Sequence, residues 1–202
     1  MGVEPLELVA KWLREGKDDA KMLVDLPWQV REGEGYLEAS HPRFPFKVKI
    51  LKRGDILTLI VDPGLVLYTL PREEKLLAFK RLLALNSEFS LVRASVAGDD
   101  DRVLVLADLE IKTLSKEVLN DFLNTLISSV VAVYHKLGRA DELDDLFYKH
   151  ILSIAEELMN RGMSEEDAVR YLTVKIALPR PVADSLIRDL VKRRREIGKS
   201  YA

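Results

Sequence analysis

The stretch Phe46-Lys-Val-Lys-Ile-Leu-Lys-Arg-Gly-Asp-Ile-Leu-Thr-Leu-Ile-Val-Asp62 decides the fold. Its first part alternates, with Phe46, Val48 and Ile50 on one side and Lys47 and Lys49 on the other. That is the two-residue period of a half-buried strand. Lys52-Arg53-Gly54-Asp55 is a turn into a second run, Ile56–Val61, which Asp62-Pro63-Gly64 ends. Two adjoining strands and a tight turn specify an antiparallel pair. Upstream, Trp28–Glu32 and Gly35–Ser40 are extended candidates around Gly33-Glu34-Gly35, so the stretch reads as a meander of three or four strands.

Working outward, Leu6, Val9, Trp12 and Leu13 lie on one helical face within residues 5–15, and Gly16 is a stop signal. A second helix follows Pro71, with Glu73 and Glu74 complementing its N-terminus. Leu76, Leu77, Phe79, Leu82, Leu83 and Leu85 give it a wide apolar stripe. A hairpin follows, Phe89–Ala97 and Arg102–Asp108, joined through Gly98-Asp99-Asp100-Asp101. Thr113 or Ser115 caps a third helix that runs to Leu137, before Gly138. Beyond Gly138 only helices are predicted: one from Asp141 to Asn160, a second begun by the Ser164-Glu165-Glu166-Asp167 capping pattern, and a third from Pro181 to Ile197. The fold class is α+β, in the order α-βββ-α-ββ-α, followed by a three-helix C-terminal unit. The expected boundary lies near 138–141, giving a domain over 1–138 and a helical unit over 141–202.

That element order resembles the type III secretion chaperones and the related YbjN-type proteins. The residues carrying the likeness are Leu82-Leu83-Ala84-Leu85-Asn86 at the end of the second helix, the hairpin 89–108 directly after it, and Leu114-Ser115 before the long apolar helix. The resemblance covers residues 5–138. It implies a non-enzymatic protein, often a homodimer, that binds segments of other proteins.

Composition narrows the chemistry. Of 202 residues, 48% are apolar and 32% charged, which excludes a disordered chain. There is no cysteine, so disulfides, thiolate catalysis and cysteine-ligated zinc are excluded. One glutamine and four asparagines beside 31 basic and 33 acidic residues resemble a thermophile's usage. The N-terminus lacks a basic segment followed by an apolar run, and Val118–Leu137 is broken by Asn120, Asp121, Asn124, Ser128 and Ser129. A cytoplasmic, non-membrane protein is the expectation.

No catalytic constellation occurs in the sequence. His41, His135 and His150 match no ligand spacing and read as surface or helix-lining histidines. Asp99-Asp100-Asp101 reads as a solvated turn rather than a cation site. Asp141, Glu142, Asp144 and Asp145 suit a helix N-terminus. Glu38 stands where a dinucleotide fingerprint needs its third glycine, and no phosphate loop or nucleophile elbow occurs. No catalytic residue, cofactor or metal is expected.

The net charge of −2 conceals an asymmetry, because residues 179–202 carry +4 and the remainder −6. Arg188, Lys192, Arg195 and Lys199 form a stripe on the last helix, widened by Arg193 and Arg194, with Leu186, Ile187, Leu190 and Ile197 as its packing face. A helix-turn-helix-like unit using that stripe against phosphate is the alternative reading. Against it, the cations sit at a helix C-terminus, where the dipole favours them, and no aromatics interleave. The leading expectation is a chaperone- or adaptor-like protein that buries a partner's apolar segment against its sheet or a helix.

Overall fold

The computed structural model describes residues 4–200 and, in the last helix, side chains as far as Arg193. The chain divides into two compact units. The first holds residues up to His41 and Phe46–Leu143; the second holds Pro42–Pro45 and the chain from Asp144 onward.

The first unit contains α1 (Pro5–Arg14), β1 (Gln29–Gly33), β2 (Tyr36–Ser40), β3 (Val48–Arg53), β4 (Ile56–Val61), α2 (Arg72–Glu88), β5 (Val92–Ala97), β6 (Arg102–Glu110) and α3 (Lys116–Leu137). The meander therefore has four strands. One antiparallel sheet of six runs in the order β1-β2-β3-β4-β6-β5. The register Ile50↔Leu59↔Ala107 puts the apolar alternates of neighbouring strands on one face. On that face Leu37, Val48, Ile50, Leu57, Leu59, Val61, Val103, Val105, Ala107 and Leu109 are all at most 2% exposed. α1 supplies Val9 and Leu13 to this core, and α3 supplies Leu119, Leu123, Leu126, Val130 and Val133, all at most 1% exposed.

Ser115, not Thr113, caps α3 by accepting the Val118 N–H, and Gly138 ends the helix at φ 73°. Gly16 does more than stop α1. There the chain folds back so closely that a β-carbon would lie 2.2 Å from the Leu26 carbonyl carbon. Lys17 N–H donates to Asp25 O at 2.7 Å and Trp28 N–H to Leu13 O at 2.9 Å, which holds the fold-back in place. His41 is buried at 3% exposure against the tilted Trp28 ring, so it belongs to the core rather than to the surface. Both edge strands are held by a helix side chain. Asn86 of α2 donates to Ala94 O at 3.0 Å and accepts from Ala94 N at 2.6 Å, while Arg14 of α1 donates to Val30 O at 3.1 Å.

The second unit is built by α4 (Ala140–Asn160), which begins in the first unit, with α5 (Glu165–Lys175) and α6 (Arg180–Ser200). Its core comprises Ala155, Leu158, Ala168, Val169, Leu172, Ile176, Ala183, Ile187 and Leu190. Ser164 caps α5 through the Asp167 N–H, but the Asp167 carboxylate takes the Ser164 hydroxyl instead of a backbone N–H, so the reciprocal half of a capping box is missing. Segment 42–45 joins this unit through Arg43 Nε donating to Lys175 O at 3.3 Å and His150 Nε2 lying 2.9 Å from Pro42 O. No described helix is long and apolar enough to cross a membrane.

On the sheet's other face, Thr58 Oγ1 donates to Asp108 at 2.7 Å and Arg93 pairs with the same carboxylate at 2.5 Å. Burial pushes the Asp108 carboxyl up, but its bonds from Arg93 and Thr58 outweigh this and hold it below the ordinary range. A depressed carboxyl contributes stability that is complete above the unfolded value of about 4 and is lost as pH falls through the folded value. Asp108→Asn is therefore expected to cost about 1 kcal/mol at neutral pH, with its deficit to wild type shrinking in denaturant melts taken progressively below pH 4. At the fold-back, Gly16→Ala is expected to lower stability by about 2–3 kcal/mol, read from the same melts, because the backbone of Leu26 must move.

Candidate functional site

The candidate site grows out of α2. Ala78, Leu82 and Leu85 follow helical spacing and bury one side of it. That consumes only part of the wide stripe read from the sequence. Leu76 and Leu83, seven residues apart and so on one line along the helix, face away at 58% and 70% exposure, with Leu77 at 47%. Tyr68 and Leu91, on the segments flanking α2, are also exposed. Five of the nine exposed large apolar side chains among the described residues thus fall within 68–91.

This exposure is not the result of a loose helix. Lys75 is paired with Asp101 at 2.8 Å, Glu88 with Lys136 at 2.5 Å, and Asn86 is fixed on β5. A helix that is apolar on opposite sides has packing capacity for two partners, and the first unit occupies one side.

A second surface is the open face of the sheet. Tyr36, Leu51, Ile60, Leu104 and Leu106 are half-buried there, and Ile56 is 38% exposed. Ile60 lies opposite Leu106, and Leu51 is diagonal to Ile60. Every carboxylate on this face is already engaged: Glu38 by Lys47, Asp62 by Arg102, Asp108 by Arg93 and Glu110 by Lys112. The bond from Lys47 lowers the Glu38 carboxyl, with Arg31 and Lys49 adding attraction at longer range. Lys49 rests over the Tyr36 ring at 4.4 Å. Nothing in the composition signals this surface; its trace in the sequence is aliphatics on the non-core parity of β3, β4 and β6.

The basic stripe is brought together only in part. Arg188, Lys192 and Arg193 are exposed on α6, opposite the packed Ala183, Ile187 and Leu190. The side chains of Arg194, Arg195 and Lys199, and of Ile197 on the packing face, lie outside the described residues. Arg188 and Arg180 line one cleft together with Glu165, Glu166 and Asp184. The aspartate run is a hairpin tip in which Asp100 accepts from Arg102 and Asp101 pairs with Lys75. Among the described residues no group of three or more acidic or histidine side chains is arranged to hold a metal ion.

No curated protein matches the chain at the sequence level. Among solved structures it is similar to the type III secretion chaperone SycH of Yersinia pestis, crystallised in complex with a stable fragment of YscM2. That match has 16% identity, 64% of this chain and 99% of that chain covered, and a TM-score of 0.45. A second match is a chain of the heterodimeric ExoU–SpcU complex from the type III secretion system of Pseudomonas aeruginosa (18% identity, 65% and 95% covered, TM-score 0.39). YbjN of E. coli is a third (19% identity, 64% and 90% covered, TM-score 0.44). Residues 8–137 match the family described as Domain of unknown function (DUF8183), and the chain belongs to that family.

Proposed function

We propose that this is a non-catalytic, chaperone- or adaptor-like protein of the cytoplasm that binds segments of other protein chains, and that it pairs with a second copy through the outward face of α2. The observation that carries the reading is the anchored helix with Leu76 and Leu83 exposed in one line. Burying a leucine fully is worth roughly 1.5–3 kcal/mol, so leaving both in water forgoes several kcal/mol that an interface recovers.

The spacing suits twofold pairing. Two α2 helices running antiparallel about a twofold axis set Leu76 of each against Leu83 of the other, with Phe79 and Lys80 near the axis. Such an interface is self-complementary, as a homodimer requires. Adaptor function then follows from presenting two identical bodies in one particle, which raises the effective concentration of each for a partner with two binding segments.

Sedimentation equilibrium tests the reading directly. Wild type at micromolar concentration is expected at twice the chain mass, and Leu83→Glu at the chain mass with an unchanged far-ultraviolet circular dichroism spectrum. A strictly monomeric wild type, or a Leu83→Glu variant that still dimerises, overturns it.

A further inference from the structure

The open face of the sheet is a second, independent surface, and its charges identify what it fits. With Glu38, Asp62, Asp108 and Glu110 all engaged, Arg31, Lys49 and Arg53 remain exposed on the same face, and none of them has a carboxylate within the 4.0 Å of an ion pair among the described residues. They flank the aliphatic patch of Leu51, Ile60, Leu104 and Leu106 on its β1–β3 side. Their attraction to Glu38 and Asp108 acts at longer range and Lys49 rests on the Tyr36 ring, so the cations outnumber the carboxylates of this face, and an apolar strip with such a cationic border complements an apolar stripe with an acidic border.

We infer that this face docks an acidic amphipathic helix of another protein, with Leu or Ile side chains on the patch and Glu or Asp against Arg31, Lys49 and Arg53. A helix is the form that suits the surface. Side chains of the protein's own helices occupy edge positions at Ala94 and Val30, which disfavours an added strand, and an amphipathic helix presents an apolar stripe with flanking acids to a face in one element. Attraction by solvent-exposed cations acts mainly on encounter and selectivity, while the aliphatic contact holds the complex, so binding needs both features at once.

The test uses the full chain and fluorescently labelled peptides of about 18 residues, long enough to form helix on the surface. One carries leucine at helical spacing with glutamate on both flanks. The others replace glutamate by lysine, or leucine by serine, and a single-stranded oligonucleotide completes the set. Wild type is expected to bind the leucine–glutamate peptide at least tenfold more tightly than any of the other three. The triple variant Arg31→Glu/Lys49→Glu/Arg53→Glu is expected to lose at least tenfold and to prefer the lysine peptide. The neutral variant Arg31→Ser/Lys49→Ser/Arg53→Ser should fall between the two. Equal binding of the lysine or serine peptide, equal binding of the oligonucleotide, or triple variants that bind like wild type overturns the inference. Leu83→Glu separates this surface from α2. Retained peptide binding places the site on the sheet whatever the oligomeric state, and lost binding moves the peptide to α2 and ends the proposal.

Discussion

Everything in the first unit hangs on one parity constraint. Successive residues of a strand point to opposite faces, so a one-residue slip of any strand would carry its core set into water. Eleven sheet residues at most 2% exposed, contributed by β2, β3, β4 and β6, share one parity under α1 and α3, and Thr58 alone among strand residues this buried lies on the other. Once that face is fixed, the rest has little freedom. α3 must lie across β4, β5 and β6, α1 must return toward β1 and β2, and the fold-back at Gly16 sets how close its link runs. The side chains on the opposite parity go to whatever remains, and in this protein that is a half-open, charge-bordered surface.

How legible this was depended on the kind of signal. Alternation in Phe46–Val61 gives β3 and β4 because a half-buried strand writes its period into every second residue. Ser115 and Ser164 announce helix starts because an orphan N–H needs an acceptor at a fixed offset. The breadth of apolar residues on α2 was legible too, but not its division. A sequence shows that a helix has apolar positions on several sides; only the packing tells that Ala78, Leu82 and Leu85 go inward while Leu76 and Leu83 stay out. His41 shows the reverse problem, since nothing local distinguishes a histidine packed against a tilted tryptophan ring from a solvated one. The sheet surface is not legible in the sequence, because its residues, Leu51, Ile60, Leu104 and Leu106, lie on three strands and meet only through register.

Asn86 connects the motif level to the physical one. It was conspicuous as the last residue of a leucine-rich helix end, and its amide turns out to be shaped like a peptide group, donating and accepting at a single residue of β5. A helix end is thereby tied to a strand edge at a cost of one side chain. The salt bridges from Lys75 to Asp101 and from Lys136 to Glu88 hold the same helix at two further points.

That amide, and Arg14 on the far strand, also set the direction from which anything can approach. A bare strand edge invites another strand to extend the sheet, which is how many β proteins polymerise. At Ala94 both the N–H and the carbonyl, and at Val30 the carbonyl, that such an incoming strand would use are already taken by the protein's own side chains. Lateral growth is obstructed at one residue of each edge strand. A strand arriving at either edge meets those side chains first, whereas the open face of the sheet is reached through side chains alone.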